Sequence, residues 1–375
     1  MSQRIKVLLL IPHLGGGGAE QVTSLLTRGL CQDRFDLHLG VITQKNLGEA
    51  WLFPGVSVHA LGASRVRAAT FGLLQLVREL KPQAILSGMA HLNFLVLLLR
   101  PLFPKRTCVL VRQNGTASEA LAFGALPRWT RLLYLLTYRR ADRIICQSDA
   151  MARDLARLKV PARLLAVLPN PVDLAAIRSA GAMTPDQRPK LWPGSKGPHL
   201  FAVARLSPEK GLDLLLFALV TVRRRFPDAD LVILGAGPAE EALKAQCGRL
   251  SLDSAVSFAG YIEHPASYFP GASLFVLPSR HEGMPNALLE AAAAGLPMVA
   301  TPASWGVVEL LQGQPGAWLT HGISSIELGA SILAALDVLE EGQRFAHPFI
   351  EAFGMDRVIP QYEELIGAVL KERGR

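Results

Sequence analysis

Short apolar runs alternate with longer stretches of helical periodicity through the first half of the chain. The apolar runs predict strands, and stretches such as residues 19–30 and 70–80 predict the helices between them. The predicted strands of this half are residues 7–11, 37–42, 84–87, 108–112, 143–147 and 165–168. Strands that alternate with helices are typical of a parallel, doubly wound sheet.

Residues 181–198 interrupt this alternation with four prolines and three glycines, a composition typical of a linker. The alternation then resumes, and the second set of predicted strands is residues 200–203, 230–234, 256–259, 274–277 and 298–301. We therefore predict an α/β protein with two doubly wound domains, residues 1–180 and 199–352, that face a central cleft. Ligands of such sheets bind beyond the carboxyl ends of the strands, so the cleft is the expected site.

The composition agrees with a folded protein of this class. The 375 residues are 50% hydrophobic and 19% charged, which gives enough apolar surface for two cores. The formal net charge of +8 suits an anionic partner without distinguishing nucleotide, phospholipid and nucleic acid. No apolar run approaches the roughly 20 residues of a membrane-spanning helix, which predicts a cytoplasmic protein, either free or held peripherally at the inner membrane face. The four cysteines lie far apart and predict buried thiols in a reducing compartment.

A run of four glycines, residues 15–18, follows the first predicted strand and precedes a predicted helix. Such a loop lets the backbone approach a phosphate closely, and it serves equally as a plain tight turn. It is not the dinucleotide-binding fingerprint, because Thr43 and Gln44 follow the second strand where that motif has an acid. Glu20, in the first helical turn, is explained equally by the helix dipole.

Two cations five residues apart, Arg205 and Lys210, lie in the loop after the first strand of the second half. Arginine offers a planar fork of donors and lysine a point charge, so the two could converge on one diphosphate. The alternative is a solvated loop in which Glu209 neutralises Lys210.

The segment 281–291 places two carboxylates on either side of a predicted helix start. Glu282 precedes the helix, Asn286 is its predicted N-cap, and Glu290 lies one turn inside it. Free backbone N–H groups between the carboxylates could bind a diphosphate, while the carboxylates accept hydrogen bonds from sugar hydroxyls. In the alternative, Glu282 is an exposed loop acid and Glu290 an ordinary partner of the helix dipole.

The run of residues 277–291 resembles the E-x7-E signature of the family-4 (group 1) retaining glycosyltransferases, whose GT-B fold has two Rossmann-like domains. Other segments resemble landmarks of that family in the same order. They are residues 15–20, 169–173, 205–210, 234–238 and 258–262. Together these segments extend over most of the chain, and residues 353–375 resemble a final helix that crosses back to the N-terminal, acceptor-side domain.

The resemblance implies roles for the residues at the matching positions. Arg205 and Lys210 would neutralise the donor diphosphate, Glu290 would hold the ribose, and Glu282 would contact the transferred sugar. With His91, which follows a mid-domain strand, the implied catalytic set is Glu282, His91, Lys210 and Arg205. The implied donor-binding set is Gly17, Gly18, Arg205, Lys210, Gly260, Tyr261, Ile262, Glu282, Gly283, Met284, Pro285, Asn286, Ala287 and Glu290.

Neither a metal nor another cofactor is expected. The one Asp-x-Asp sequence, Asp228 to Asp230, follows Pro227 in a connection that leads into a predicted strand. The leaving-group charge would instead fall on Arg205, Lys210 and helix amides, as preorganised electrostatics commonly arrange. The resemblance implies front-face transfer with retention, in which the departing phosphate helps to take the acceptor's proton.

The segment from Arg128 to Arg163 carries nine basic and three acidic side chains. Aromatic and leucine residues interleave with its arginines at positions 128, 131, 139 and 140. This pattern predicts either contact with an anionic membrane or a packed helix with a solvated arginine face. A nucleic-acid partner is not expected, because the aromatic-bearing surface strands of single-strand binders are missing.

The resemblance thus implies transfer of a hexose or N-acetylhexosamine from a nucleotide-sugar, with UDP favoured over GDP. The acceptor would be a glycan or lipid-linked molecule in bacterial surface polysaccharide or lipopolysaccharide assembly. Because fold does not fix function, two alternatives stay open: a nucleotide-sugar epimerase on the same fold, and a non-catalytic nucleotide-binding protein.

Overall fold

The computed structural model describes residues 4–14, 17–43, 54–118, 130–183, 192, 197–262 and 265–374. The chain divides into two compact units, one of Met1–Pro171 with Phe353–Arg375 and one of Val172–Ala352. This division differs from the predicted boundary at residue 180, because the helix Leu174–Gly181 packs against Pro265–Gly271 within the second unit. Most of the predicted linker, residues 181–198, lies outside the described residues.

The first unit contains a parallel sheet with seven described strands in the order β3-β2-β1-β4-β5-β6-β7. The strands are β1 Ile5–Ile11, β2 Phe35–Val41, β3 Ser57–Ala60, β4 Ala84–Gly88, β5 Cys108–Gln113, β6 Arg143–Cys146 and β7 Leu165–Val167. The helices are α1 Gly18–Gly29, α2 Thr70–Leu80, α3 Ala90–Leu99, α4 Thr130–Thr137 and α5 Asp149–Arg157. Apolar side chains on both sheet faces are buried, which explains why the strands are nearly continuous apolar runs.

The second unit repeats this plan with six described parallel strands in the order β10-β9-β8-β11-β12-β13. The strands are β8 His199–Val203, β9 Asp230–Leu234, β10 Val256–Phe258, β11 Leu274–Leu277, β12 Met298–Ala300 and β13 Ala317–Leu319. The helices are α6 Leu174–Gly181, α7 Leu212–Arg225, α8 Glu240–Arg249, α9 Asn286–Ala293, α10 Trp305–Leu311 and α11 Ser325–Leu336. The sheet order changes direction between β8 and β11, so the loops after these strands lie where such sheets bind ligands.

The C-terminal helix, α12 (Met355–Glu372), packs within the first unit although its sequence follows the second. Val358, Ile359 and Tyr362 join the apolar cluster beneath β1 and β2. A Cβ on Gly29 of α1 would lie 2.7 Å from the Ile359 side chain, which shows how closely the two helices approach. The helix therefore completes the core of the first unit.

The cysteines depart from expectation at one position. Cys108, Cys146 and Cys247 are buried free thiols, and burial raises the pKa of Cys146 to about 12. Cys31 is exposed, so its predicted burial is wrong. Cys31 follows the end of α1, and its backbone N–H donates a hydrogen bond to the Glu363 carboxylate.

Candidate functional site

The E-x7-E segment lies at the carboxyl edge of the second sheet, between β11 and α9. The helix begins at Asn286 and its N-cap is Pro285, so the predicted cap at Asn286 is wrong by one residue. Glu282 stands in the loop before the helix and Glu290 lies one turn inside it, and each is 7% exposed. The interpretation of Glu282 as an exposed loop acid is therefore excluded.

Lys210 and Glu282 form an ion pair at this edge. The Lys210 ammonium donates to both carboxylate oxygens of Glu282, each at 2.8 Å. Ser279 Oγ donates to Glu282 Oε1 at 2.6 Å. Lysine therefore neutralises the carboxylate, and the hydrogen bonds hold it in one position.

The loop around Glu282 is braced by the loop that follows β12. Glu282 N donates to Ala303 O at 3.1 Å, and Ser304 Oγ donates to Gly283 O at 3.5 Å. Within the described ranges, the backbone N–H groups of Gly283 and Met284 donate to no protein acceptor. These two amides precede the helix start, where backbone donors and the helix dipole favour an anion.

The predicted alternative that Glu209 neutralises Lys210 does not match the geometry. Lys210 donates to Glu282, whereas the Glu209 carboxylate accepts from Ser207 Oγ at 2.5 Å. Arg205 is exposed, and its guanidinium forms no ion pair with a described residue. Lys210 thus belongs to the carboxylate site, and Arg205 stays available to a ligand.

Arg280 is a residue of this site that sequence reasoning missed. Its guanidinium donates to both carboxylate oxygens of Asp213 at 2.7 and 2.6 Å, and to Pro208 O at 2.7 Å. Its backbone N–H donates to Glu209 O at 2.8 Å. The hydrogen bonds from Arg280 lower the pKa of Asp213. Arg280 therefore fastens the loop that carries Lys210 to the loop that carries Glu282.

Glycines bring three loops of this edge close together. A Cβ on Gly235 would lie 1.8 Å from Ala204 O, and one on Gly211 would lie 2.0 Å from Pro278 O. Gly235 N donates to Gly260 O at 2.8 Å. Gly260 itself has a φ of +72° with open space at the Cβ position, and Tyr261 beside it is 48% exposed. With the partly buried Ile262, these residues line the same edge.

The first unit gathers a smaller set of predicted residues at the carboxyl edge of its own sheet. Gly15 and Gly16 lie outside the described residues, while Gly17 and Gly18 begin α1. Glu20 is 3% exposed and pairs with the His13 ring, with 3.2 Å between Oε1 and Nδ1. This pairing, rather than the helix dipole alone, accounts for a buried acid at that position.

His91 lies in the first turn of α3, beyond the carboxyl end of β4. His91 is exposed, yet the protein around its ring partly desolvates it, which lowers its pKa, and repulsion from His13 lowers the pKa further. The preceding Met89 has a φ of +75°, a backbone conformation that only a tightly constrained turn imposes on a non-glycine residue. The turn thus fixes where α3 starts, and with it the position of His91.

The side chains that could ligate a metal ion are not clustered among the described residues. No three His, Cys, Asp or Glu side chains of the described ranges are grouped as metal ligands would be. Asp230 of the Asp-x-Asp sequence is 2% exposed, and its carboxylate contacts the His199 ring at 2.7 Å. Nor does any described helix combine the length and apolar composition of a bilayer span.

Two family models match the chain, one in each compact unit. The model described as "Glycosyl transferase 4-like domain" matches residues 17–171, and the one described as "Glycosyl transferases group 1" matches residues 197–337. Among curated relatives, an uncharacterised glycosyltransferase of Haemophilus influenzae is 28% identical over 44% of this chain and 48% of its own length. A GDP-mannose-dependent α-(1-6)-phosphatidylinositol monomannoside mannosyltransferase of Mycobacterium tuberculosis is 33% identical over 47% of each chain. The chain thus spans about half the length of these relatives.

Solved structures share the fold over nearly the whole chain. Anabaena HepE in complex with UDP-glucose has a TM-score of 0.80 at 21% identity, covering 97% of this chain and 100% of that one. Sucrose-phosphate synthase of Thermosynechococcus elongatus has a TM-score of 0.82 at 16% identity, with 98% and 100% covered. At such identities the likeness establishes the fold, which is GT-B. With both family models matched, the chain belongs to the group 1 glycosyltransferases.

Proposed function

We propose that this protein is a retaining glycosyltransferase that moves a hexose or N-acetylhexosamine from a nucleotide-sugar to a glycan or lipid-linked acceptor. The observation that carries the proposal is the partly buried Lys210 paired with the buried Glu282, with the buried Glu290 on the helix that follows and two loop amides, of Gly283 and Met284, that donate to no protein acceptor among the described residues. An ammonium, two carboxylates and an anion-binding helix start are complementary to a diphosphate that joins two polyols.

Each group has a distinct part in this proposal. The diphosphate binds the amides of Gly283 and Met284 and draws the Lys210 ammonium away from Glu282, because a phosphate is the stronger anionic partner. The released Glu282 carboxylate then accepts hydrogen bonds from the transferred sugar, while Glu290 holds the ribose. Arg205 and Lys210 carry the charge that develops on the leaving nucleotide, and His91 is the candidate catalytic residue of the first unit.

Retention follows, in the proposal, from attack on the face that the nucleotide leaves. The acceptor oxygen forms a bond to the anomeric carbon as the bond to the phosphate oxygen breaks, and the phosphate takes the acceptor's proton. No protein carboxylate is required as a covalent nucleophile. The anomeric configuration of the product, measured by NMR, tests this step: an inverted product contradicts it.

We propose uridine as the donor base, ahead of guanosine, and surface polysaccharide or lipopolysaccharide assembly as the setting. The Glu-Gly-Met-Pro-Asn form of the motif supports uridine, as does the fold shared with HepE, whose structure contains UDP-glucose. The Mycobacterium tuberculosis relative is GDP-mannose-dependent, so the base needs a direct measurement. Relatives in Escherichia coli and Salmonella typhimurium bear the name of a colanic acid biosynthesis glycosyltransferase, which supports the setting.

Calorimetric titration with UDP, GDP and NAD, without divalent metal, tests the site. We expect saturable binding of UDP, weaker binding of GDP and none of NAD. Lys210→Ala and Glu290→Ala should each weaken UDP binding at least tenfold. The exposed residues Lys244 and Glu340 of the same unit provide matched controls, whose alanine variants should bind like the wild type. Wild-type affinity in both site variants, or no nucleotide binding by folded protein, would refute the assignment.

Exposed leucines of the first unit support contact with an anionic membrane. Four leucines on neighbouring segments are each about half exposed, namely Leu98, Leu102, Leu132 and Leu136. Arg131 and Arg139 are exposed on the same segment as the last two, whereas Arg128 lies outside the described residues. Apolar side chains flanked by cations are complementary to anionic lipid.

Co-sedimentation with vesicles separates this contact from a packed helix with a solvated face. We expect binding to phosphatidylglycerol-containing vesicles that the double variant Leu132→Ser, Leu136→Ser loses. Ile326→Ser, at an 83% exposed position of the second unit, is the control. Equal sedimentation of the double variant and the wild type would contradict the proposal.

A further inference from the structure

Four polar side-chain atoms at the carboxyl edge of the first sheet are buried and have no hydrogen-bond partner among the described residues. They are Ser87 Oγ, Asn93 Oδ1, Asn114 Nδ2 and Gln147 Oε1. Ser87 and Asn93 are 0% exposed and Gln147 is 5% exposed. Buried polar atoms are nearly always hydrogen-bonded, so four exceptions in one place call for an explanation.

The four residues occupy one stretch of the sheet edge. Neighbouring strands β4, β5 and β6 end side by side, so the residues that follow them are adjacent. Gln147 Nε2 donates to Asn114 Oδ1 at 3.3 Å, and a Cβ on Gly88 would lie 3.7 Å from Asn114 Nδ2. Asn93 Nδ2 donates to Arg112 O, at the end of β5. We call Ser87, Asn93, Asn114 and Gln147 the edge cluster.

Neighbouring polar side chains are hydrogen-bonded within the protein, which sets the edge cluster apart. Gln113 donates to Tyr134 OH and to Gly115 O, and it accepts from Tyr138 OH at 2.7 Å. Arg112 directs its guanidinium to Asn170 Oδ1 and Tyr362 OH, towards the C-terminal helix. The fold therefore satisfies the neighbours of the cluster, and the nearby cation is directed elsewhere.

The chemistry of the edge cluster selects a group that both donates and accepts. Asn114 Nδ2 is a donor and Gln147 Oε1 an acceptor, on facing amides that share only one hydrogen bond. Turning both amides over exchanges these roles but still leaves one donor and one acceptor. A hydroxyl group satisfies both at once, whereas a phosphate or carboxylate cannot donate to Gln147 or Asn93.

We propose that the edge cluster binds hydroxyl groups of an uncharged sugar residue at the accepting end of the acceptor. This inference rests on the proposed function and gives the acceptor a chemical class. Asn114, which is half-buried, and Gln147 bracket one hydroxyl, while Ser87 lies in β4 and Asn93 lies in α3, the helix that also carries His91. The acceptor is therefore recognised through neutral hydroxyls, and a lipid-linked acceptor carries its anionic part elsewhere.

The test uses the full chain with saturating UDP and measures binding of methyl hexosides by saturation-transfer NMR. Methyl glycosides of the corresponding hexuronic acids serve as the anionic match. We expect the wild type to bind at least one neutral hexoside and to bind its uronate on the order of tenfold more weakly. Gln147→Met and Asn114→Ala should each weaken hexoside binding on the order of tenfold, the effect of one lost hydrogen bond. Gln75→Met, at an exposed position, is the control.

UDP affinity is measured for every variant, so the two proposals can fail separately. Unchanged UDP affinity with weakened hexoside binding supports the inference. Three outcomes overturn it: hexoside binding unchanged in both variants, equal binding of uronate and hexoside, or no hexoside bound by wild type that binds UDP, which would leave water as the occupant of the cluster. A wild type that binds no UDP refutes the proposed function instead. If Gln147→Met does not fold, hexoside binding by Asn114→Ala alone tests the inference.

Discussion

Lys210, in the loop after β8, forms an ion pair with Glu282 of the E-x7-E segment, although the two residues are 72 positions apart in sequence. Removing the lysine leaves a carboxylate that is 7% exposed without its counter-charge. We expect Lys210→Met to lower the free energy of unfolding by about 2 kcal/mol, less than the about 3–5 kcal/mol of a fully buried pair, because the lysine is 24% exposed. The double variant Lys210→Met, Glu282→Gln also removes the charge of Glu282, and it should recover part of the lost free energy of unfolding.

Urea unfolding of the two variants and the wild type measures both effects. If the double variant is as unstable as Lys210→Met, an unpaired charge is not the cause. If Lys210→Met is as stable as the wild type, the ion pair contributes nothing to folding.

His91 offers a prediction about pH. Desolvation and the neighbouring His13 lower its pKa, so the folded protein binds this proton less readily than the unfolded chain, whose His titrates near 6.5. The stability linked to His91 is then complete above about pH 6.5 and declines as the pH falls. An NMR titration of the His91 ring should give a midpoint below 6.5, and His13→Asn should raise it. A midpoint at or above that value would contradict the desolvated environment.

At the residue scale, the sequence identifies which side chains belong to the site better than it identifies which side chains contact one another. Glu282, Glu290 and Lys210 could be selected because each lies in a motif directly after a predicted strand. The pairing of Glu20 with His13 and the bridge from Arg280 to Asp213 could not, because such contacts depend on loops that meet only in the folded sheet. The unpaired atoms of the edge cluster are likewise invisible without coordinates.

The hydrogen bonds of Arg280 connect the loop that carries Lys210 to the loop that carries Glu282. Arg280→Ala releases the Asp213 carboxylate and Pro208 O, so the loop that carries Lys210 loses its bracing. We expect UDP affinity to fall on the order of tenfold, since one charge-assisted pair is worth about 1.5–3 kcal/mol. The exposed pair Arg225 and Asp337 in the same unit is the control, and Arg225→Ala should change stability by less than about 1 kcal/mol.

Calorimetry with UDP and urea unfolding distinguish a positioning role from a purely structural one. A loss of affinity in Arg280→Ala, with Arg280→Lys only partly restoring it, supports positioning by the two-pronged guanidinium. If Arg280→Ala is less stable but binds UDP like the wild type, the hydrogen bonds of Arg280 contribute to folding alone.

Two glycines of the same loops make a contrasting pair. Gly235 has a φ of +142° and no room for a Cβ, which would lie 1.8 Å from Ala204 O. Gly260 has a φ of +72° and open space. We expect Gly235→Ala to cost more than about 4 kcal/mol in the free energy of unfolding, and Gly260→Ala about 1 kcal/mol, the cost of the backbone conformation alone. Urea unfolding measures both, and equal costs would refute the steric argument.

At the scale of elements, the apolar pattern predicts central strands and long helices well. The predicted helix at 70–80 coincides with Thr70–Leu80, and the strand at 230–234 with Asp230–Leu234. The strands Ser57–Ala60 and Ala317–Leu319 were not predicted, because edge strands are short and only partly buried. An apolar run marks a strand only where both faces of the sheet are covered.

At the scale of the whole molecule, alternating strands and helices suffice for the class of fold but not for the division of the chain. Both sheets are parallel, as this alternation predicts. The division falls at Pro171 rather than at residue 180, because the helix that follows contributes its apolar side to the second unit. Which unit a segment joins depends on where its apolar side chains find partners, and the local pattern does not contain that information.

The C-terminal helix makes this dependence testable. Its apolar side chains Val358, Ile359, Tyr362, Ile366 and Val369 are each at most 5% exposed within the core of the first unit. Burial of such side chains contributes about 1.5–3 kcal/mol each, so together they approach the about 5–15 kcal/mol by which a whole domain is stable. We therefore expect a chain that ends at Ala352 to lose the fold of its first unit and keep that of its second.

Hydrogen exchange followed by mass spectrometry reports on the two units separately. In the shortened chain, amides of β1 and β2 should exchange rapidly while those of β8 and β9 stay protected. A chain that lacks only the last two residues is the control and should exchange like the full chain, because Arg373 and its pair with Asp142 remain. Protection of β1 and β2 in the shortened chain would mean that the first unit folds without the helix, and that the shared apolar cluster is dispensable.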